Sequence, residues 1–325
     1  MLSTSTIRVS TTGGIAECTA LALPGDVILV DQPYIRIPHG SISLSAPGVK
    51  YDIRSTIDFG GNGDNGLVVS APGVELHGIK GVGAIIACTD ASGILLDPSA
   101  EDCLIEGVTL SDCNVKNNSG AGAIFAMSGG PGALIRGLRV WNCQVYSVNG
   151  HSLNIGGVLG GEFKDCLFES TFGLSAEGMS VIGSDLHFLR CTVNKAATTG
   201  ILVWGAKDYP LHNITFEKCT IKNSSQAVLP PPLGTNQKGN NSAMQICVND
   251  GCVCGVKIVD CTAYDDQLTA AGVPSPTQDH FLDINGTTGT LVQCVFDGSN
   301  RAWGNVNPQL YTSELPAAQM IDCQL

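Results

Sequence analysis

An eight-residue pattern built around a cysteine recurs along this chain of 325 residues. It reads small or apolar, any, apolar, any, any, Cys, any, apolar, and its cysteines are 23 to 42 residues apart. A repeat of this length indicates a solenoid, a propeller or an array of small units. Within each copy apolar residues alternate, as in a β-strand, and a two-residue break separates two such runs. The pattern therefore predicts short strands joined by a tight bend at Cys113, Cys143, Cys166, Cys191, Cys219, Cys261, Cys294 and Cys323.

A second strand precedes each copy and often starts at a glycine, as in Gly178-Met-Ser-Val and Gly200-Ile-Leu-Val. Units as short as 23 residues leave no room for an amphipathic helix. The pattern predicts an all-β fold, a parallel β-helix with three strands per coil and about ten coils. The apolar stretch Ile15–Leu23 is expected to form a short helix that caps the open end of the core, as solenoids require. The predicted organisation is a cap at residues 1–25 and a single β-helix domain at residues 26–325.

A coil of three strands, one of which starts at a glycine corner, resembles the right-handed β-helix of the pectate-lyase-like superfamily. The stretch Pro24-Gly-Asp-Val-Ile-Leu-Val is similar to the first strand of such proteins, and the resemblance covers roughly residues 24–325. The superfamily includes polysaccharide lyases, glycoside hydrolases and phage tailspike depolymerases. None of its well-marked catalytic strings is intact here, so the resemblance implies the fold and a glycan-directed function without a particular reaction.

The charge composition argues against several partners. Only 14% of residues are charged, the net charge is −12 and no basic run occurs. Nucleic acids and anionic membranes are bound mainly through clusters of Lys and Arg, so neither is expected as a partner. No apolar segment approaches the roughly 18 residues of a membrane span. The N-terminus has no basic stretch followed by an apolar run, so we expect cytoplasmic synthesis without a signal peptide. Association with a virion is compatible with this expectation, and the sequence as written does not support secretion.

Most of the 14 cysteines are expected to be free thiols. Eight of them recur at one inward position, where a buried thiol acts as a small apolar side chain. A ladder of free thiols favours assembly in a reducing compartment. The alternative for Cys252, Cys254 and Cys247 is a metal or redox site, but no second ligand pair stands at zinc spacing, so a turn between core strands is expected.

Insertions into the repeat predict where the working surface lies. The connections from Cys219 to Met244 and from Cys261 to Leu282 are about twice as long as the shortest, and the segment after Trp204 is also extended. Solenoids tend to place insertions on the binding face. We therefore expect a groove whose floor is the sheet formed by the glycine-started strands. The alternative is that the insertions form an oligomer contact or are tolerated sequence drift without a function.

Strand alternation predicts what this floor displays. If Met179 and Val181 point inward, Ser180 points outward. The same alternation in the neighbouring strands places these side chains on the outer face: Asn154, Leu202, Trp204, Gln245 and Asp283. Polar residues stand at the corners before these strands, namely His151, Glu177, Thr199, Ser242 and His280, the last beside Asp279. Trp204 is expected to stack on a sugar ring next to Lys207, Asp208 and Tyr209. The substrate-binding candidates are thus Trp204, Asn154, Ser180, Gln245 and Tyr209.

The catalytic candidates follow from two reaction types. Hydrolysis of a glycoside needs two carboxyl groups, for which Glu177 and Asp208 form the candidate pair and Asp283 is more distant. Elimination from a uronic acid needs a base, for which Lys207, His151 and His280 are available. No cofactor is required, and Ca²⁺ is the metal that Asp265, Asp266 and Asp279 would favour.

Three hypotheses on function remain open. The first is an enzyme that cleaves a polysaccharide, by elimination or hydrolysis, in a form that could be a homotrimeric tailspike. The second is a glycan-binding or structural β-helix without catalysis, and the third is an intracellular enzyme acting on a small metabolite. The trimer is suggested by five outward apolar residues of the same sheet, Leu95, Phe125, Met127, Ile182 and Leu202.

Overall fold

The chain folds into a parallel β-helix with three long faces in the computed structural model. The structure describes residues 5–9, 14–60, 63–78, 85–89, 91–113, 122–128, 130, 133–147, 150–170, 177–205, 207–209, 211–225, 242–249, 251–286, 288–307 and 310–325. The strand-to-strand pairings between successive coils are parallel throughout. Each coil thus repeats the strands of the coil before it, which the short alternating runs of the sequence predict.

The first sheet is formed by the glycine-started strands and carries the candidate groove. Its strands are Ile42–Leu44, Leu67–Val69, Ile94–Leu96, Gly122–Met127, the start of His151–Lys164, the start of Met179–Leu189, Ile201–Gly205, Met244–Val248, Leu282–Asn285 and Tyr311–Ser313.

The second sheet follows the first along each coil. Its strands are Thr6–Val9, Val27–Val30, Lys50–Ile53, Glu75–Gly78, Leu104–Glu106, Ile135–Arg136, Arg139–Trp141, the ends of His151–Lys164 and Met179–Leu189, Leu211–Glu217, Val253–Val259, Thr290–Val292, Val295–Phe296 and Met320–Ile321. Two strands, His151–Lys164 and Met179–Leu189, run through both sheets without a break, so these coils have two strands rather than the expected three.

The third sheet has ten strands, which agrees with about ten coils. They are Tyr34–Arg36, Thr56–Asp58, Ile85–Thr89, Thr109–Cys113, Gln144–Ser147, Leu167–Ser170, Thr192–Asn194, Thr220–Lys222, Thr262–Tyr264 and Arg301–Trp303.

The core is a continuous column of side chains enclosed by the three sheets. The predicted inward residues of the first sheet, among them Met179, Val181, Ile201 and Val203, are buried. Phe163, Phe188 and Phe216 stack face to face along the second sheet, with ring centroids 4.5 and 4.7 Å apart. Burial of apolar surface in this column is the main source of stability.

The bend between the second and third sheets has a repeated local structure. The residue before each of five cysteines has a positive φ of 52° to 55°, which turns the chain sharply. The following thiol points inward and lies within donating distance of the carbonyl oxygen two residues earlier, as Cys166 Sγ does at 3.3 Å from Lys164 O. The same carbonyl oxygen also accepts from a backbone nitrogen of the preceding coil, as Lys164 O does from Asn142 N at 2.9 Å, so the thiol is an additional donor to it.

Five cysteines, not eight, stack at this bend. The backbone register places Cys143, Cys166, Cys191, Cys219 and Cys261 on one another, for instance through Thr192 N donating to Cys166 O. In the coil before Cys143 the equivalent position is held by Val108, and in the coil after Cys261 it is held by Asn300. The prediction that the other three share this position is wrong: Cys113 ends a third-sheet strand beside Ser147, and Cys294 and Cys323 belong to the second sheet. They fit the pattern because each also follows a residue with positive φ, at a different point of its coil.

A short helix covers the N-terminal end of the core, as predicted. It spans Gly14–Leu21 and buries Ile15 and Thr19. The hydroxyl of Tyr51 donates to Thr19 Oγ1 at 3.1 Å and ties the helix to the second sheet. A strand that the sequence reading missed, Thr6–Val9, already pairs with Val27–Val30, so the sheet structure begins ahead of residue 26. In the described part of the chain, no helix is long and apolar enough to cross a membrane.

Candidate functional site

One outward row of the first sheet is more buried than the sequence suggests. The register aligns Asn154, Ser180, Leu202, Gln245 and Asp283, one per coil. Ser180, Gln245 and Asp283 are buried, and Asn154 and Leu202 are half-buried. These side chains do point away from the core, but they do not form the open floor that alternation alone predicts.

Buried polar contacts hold the C-terminal half of this row. Oδ2 of Asp283 accepts hydrogen bonds from Gln245 Nε2 at 3.2 Å and from Asn285 Nδ2 at 3.1 Å. A buried carboxylate needs such donors to offset its loss of hydration. Asp283 is therefore held within the sheet by its neighbours, which makes it a poor candidate for direct attack on a substrate.

A second polar row runs along the corner that leads into the first sheet. Its members stand two residues before the first inward side chain of five successive coils, and the backbone register aligns them as His151, Glu177, Thr199, Ser242 and His280. Adjacent coils are about 4.8 Å apart, so the row places one polar side chain at each such step. All of them are buried apart from Glu177, which is half-buried.

His151 and Glu177 form a close pair in this row. Nδ1 of His151 lies 2.5 Å from Oε2 of Glu177. Only 8% of the His151 side chain and 13% of the Glu177 side chain are exposed. The carboxylate lies against the Nδ1 edge of the imidazole ring, and Nε2 is on the opposite edge, an arrangement that suits a general base.

Two hydroxyl groups continue the row. Thr199 Oγ1 and Ser242 Oγ are buried, and neither has a hydrogen-bond partner among the described residues. A buried hydroxyl without a partner is uncommon in folded proteins and costs free energy. The corner row thus offers two hydrogen-bonding groups beside the His151–Glu177 pair.

His280 closes the row with an acidic neighbour of its own. Its Nδ1 lies 3.3 Å from Oδ2 of Asp279, and the His280 side chain is 9% exposed. By register it stands four coils beyond His151, roughly 19 Å away at the coil spacing. His151 and His280 therefore cannot act on one bond, although both were predicted as candidate bases.

The predicted metal ligands have other roles. The carboxylate of Asp265 accepts hydrogen bonds from the backbone nitrogens of Thr277 at 2.7 Å and Gln278 at 2.9 Å, and it also accepts from Gln267. Asp266 exchanges two hydrogen bonds with Asn223. Together with the Asp279–His280 contact, these bonds hold the connection 265–279 in place. Within the described residues, no group of three or more His, Cys, Asp or Glu side chains is arranged to hold a metal ion.

The remaining candidates lie at the far end of the strand Ile201–Gly205. Trp204 is 48% exposed there, beside Cys247 of the next coil. Lys207 and Asp208 are exposed, and the hydroxyl of Tyr209 accepts a hydrogen bond from Ser128 Oγ at 3.4 Å. Tyr209 is therefore tied across the sheet and is only partly available for a ligand.

The structure does not bring Glu177 and Asp208 together. Glu177 lies beside Thr199, ahead of the strand, whereas Asp208 follows its end. A five-residue strand is about 13 Å long, which exceeds the separation that either glycosidase mechanism uses. The hypothesis of a Glu177–Asp208 pair is wrong because the two residues sit at opposite edges of the sheet. Sequence spacing alone could not show this offset.

Other parts of the predicted groove differ from expectation or lie outside the described residues. The insertion at residues 227–241 and the side chain of Met127 lie outside the described residues. The outward residues Leu95, Phe125, Ile182 and Leu202 are half-buried, so this face exposes less apolar surface than the sequence predicts. The homotrimer stays a prediction.

Comparisons with known proteins agree with this architecture. Residues 73–307 match the family described as "Right handed beta helix region". The structure of an alginate lyase from Paenibacillus sp. str. FPU-7 is similar over 99% of both chains, with a TM-score of 0.65 and 13% sequence identity. A pectate lyase structure is similar over 92% of this chain and 80% of its own, at a TM-score of 0.47 and 12% identity. No curated protein matches the sequence. Since the family match spans more than half of its residues, the chain belongs to the right-handed β-helix family.

Proposed function

We propose that this protein cleaves a polysaccharide along the first sheet, with His151 and Glu177 as its acid–base pair. The observation that carries the proposal is the 2.5 Å contact between His151 Nδ1 and Glu177 Oε2, at a corner lined by buried polar groups. Acid–base pairs of this kind are placed in clefts where neighbouring side chains fix their orientation.

Elimination from a uronic acid fits this pair better than hydrolysis does. Hydrolysis by two carboxyl groups requires them about 5 to 9.5 Å apart. The next carboxyl group along the corner row is that of Asp279, beside His280, three coils from Glu177 and thus roughly 14 Å away by coil spacing. Elimination from a uronic acid needs one base for the C5 proton, for which His151 is available, together with a cation or neutral acid that stabilises the substrate carboxylate.

The elimination would proceed as follows. Nε2 of His151 takes the proton from C5 of the uronic acid, and the electron pair of that bond forms a double bond between C4 and C5. The bond from C4 to the glycosidic oxygen breaks, and the leaving oxygen takes up a proton. Glu177 stabilises the imidazolium ion that forms in between, as a carboxylate does for a catalytic histidine.

The alginate lyase with the same fold supplies a first substrate to assay. Purified full-length protein would be incubated with alginate, polygalacturonate and neutral dextran, each with and without EDTA. A lyase produces an unsaturated uronate, seen by its ultraviolet absorbance, together with new reducing ends. Reducing ends without that absorbance indicate a hydrolase and overturn the elimination. Binding without either product overturns cleavage and leaves a glycan-binding protein.

A further inference from the structure

An aromatic stack lies on the third sheet, away from the candidate groove. The rings of Tyr264 and Trp303, from successive coils, are parallel within 3°, with centroids 4.8 Å apart. Nζ of Lys222, one coil earlier, lies 5.9 Å from the centre of the Tyr264 ring. The register aligns all three side chains in one outward row.

Trp303 ends this stack with an open face. Its strand, Arg301–Trp303, is the last strand of the third sheet among the described residues. Trp303 is 54% exposed, whereas Tyr264 is half-buried between Lys222 and Trp303. An exposed indole beyond a stacked partner offers a rigid, flat apolar surface at little cost in side-chain entropy.

Two cations flank the stack. Arg301 is exposed and lies on the same face as Trp303, two residues earlier on the same strand. Lys222 stands at the other end of the stack. These two cations give the patch a local positive charge that would attract an anionic ligand, although the net charge of the chain is −12.

We infer that Lys222, Tyr264, Arg301 and Trp303 form a second glycan-binding surface, which holds an acidic polysaccharide outside the groove. The apolar face of a sugar ring stacks on the indole of Trp303, while Arg301 and Lys222 contact its carboxylate or sulfate groups. This inference rests on the proposed function only for the choice of a glycan as ligand.

The chain links this surface to the corner row. Directly after Trp303, Val306 N donates to Gln278 O at 2.9 Å, and Asn307 N donates to Asp279 O at 2.8 Å. Asp279 precedes His280, the last member of the corner row. A polymer held at Trp303 would therefore lie at the His280 end of the corner row, and a chain long enough to extend along four coils would have a raised effective concentration at His151 and Glu177.

Affinity electrophoresis in native gels tests the inference without reference to cleavage. Gels would contain polygalacturonate or neutral dextran, and all proteins would carry Glu177→Gln so that the polymer is not consumed. Trp303→Ala is expected to raise the dissociation constant for polygalacturonate about fivefold or more. Tyr34→Ala is the matched control, because Tyr34 lies on the same sheet at its other end and is 53% exposed. Its retardation should equal that of the parent.

A second variant tests the charge. Arg301→Gln should weaken binding to polygalacturonate, remove part of its salt dependence and leave any retardation by dextran unchanged. Circular dichroism would verify that each variant is folded. Unchanged binding of both Trp303→Ala and Arg301→Gln overturns the inference. Equal retardation by dextran and polygalacturonate overturns the role of the cations. A mass that falls on Trp303→Ala, measured by light scattering, would make this surface a contact between copies of the chain instead.

Discussion

Nδ1 of His151 and Oε2 of Glu177 lie 2.5 Å apart although the two residues belong to successive coils. The contact exists because parallel stacking aligns equivalent corners, so residues separated by one repeat become neighbours. A second His–Glu pair, His187 with Glu217, forms by the same rule on the second sheet at 3.2 Å, but it is far more exposed. The two pairs differ in burial and in the ring nitrogen that makes the contact, and Glu217 also pairs with Lys218.

Glu177→Gln should lower the rate of polysaccharide cleavage at least a hundredfold, since it removes the charge that orients and stabilises His151. Initial rates on the substrate identified in the polysaccharide assay measure this. The matched control is Glu217→Gln, which disrupts a His–Glu pair on another sheet and should leave the rate unchanged. Equal rates for wild type and Glu177→Gln would remove this pair from the mechanism.

Trp204→Ala should weaken glycan binding about fivefold, because an exposed indole at the edge of the first sheet loses its stacking contact with a sugar ring. Binding would be followed by titration with the oligosaccharide products, which are too short to reach Trp303. Asp208→Asn, four residues away and exposed, serves as the control and should bind normally. Normal binding by Trp204→Ala would place the sugar elsewhere on the sheet.

Asp265→Asn should lower the free energy of unfolding by about 1 to 3 kcal/mol, because one of the oxygens that accept from Thr277 and Gln278 is replaced by an amide group. Urea unfolding curves measure the change. EDTA and added Ca²⁺ should leave the wild-type curve in place, since the carboxylate is already engaged. Stabilisation by Ca²⁺ in wild type and not in the variant would show that Asp265 binds the metal after all.

The five stacked thiols Cys143, Cys166, Cys191, Cys219 and Cys261 should resist a thiol reagent in the native protein. They are buried, so the reagent cannot reach them, and burial also raises the pKa of the Cys143 thiol well above its usual range. The half-buried Cys18, Cys247 and Cys323 should be modified first. Mass spectrometry of labelled peptides gives the order. Early modification of any stacked thiol contradicts the arrangement.

Stability should fall as the pH rises from about 9 to 11. Burial raises the pKa of Cys103 from 9.0 to about 11, so across this interval the thiol ionises in the unfolded chain and stays protonated in the folded one. The stabilisation from this group is complete below pH 9 and is lost by about 2 kcal/mol at pH 11. Cys103→Ala should show a correspondingly flatter decline in unfolding free energy over the same interval. An equally steep decline would assign the alkaline loss to other groups.

The fold was predictable from this sequence because one parity rule repeats in every coil. Met179 and Ile201 occupy equivalent places in alternating strands, and both are buried as the alternation requires. The cysteine pattern was less specific. Cys113 and Cys166 have the same local bend, and only the pairing between coils shows that they occupy different corners.

The candidate site was predictable in its members but not in its contacts. The corner residues His151 and Glu177 could be named from their position before each strand, yet their contact depends on how one coil sits on the next. The predicted pairing of Glu177 with Asp208 was wrong for the same reason, because the sequence does not show how adjacent coils are aligned. Trp303 could have been noticed, because Lys222, Tyr264 and Trp303 each end a strand that begins two residues earlier, directly after the bend or its equivalent.

The bend in which a positive-φ residue is followed by a thiol recurs once per coil in five successive coils, so the β-helix can become longer or shorter by one whole coil at a time. Its thiol contacts one carbonyl group two residues away and one in the preceding coil, as Cys191 does with Leu189 O at 3.7 Å and Phe163 O at 3.4 Å, and both contacts recur from coil to coil. Deleting residues 167–191 would join Cys166 to Thr192, the residue that normally follows the next stacked cysteine, and every remaining corner would keep its register. Descendants of such a chain can gain or lose whole coils, and with them change the number of sugar units that a groove spans, without redesign of the core.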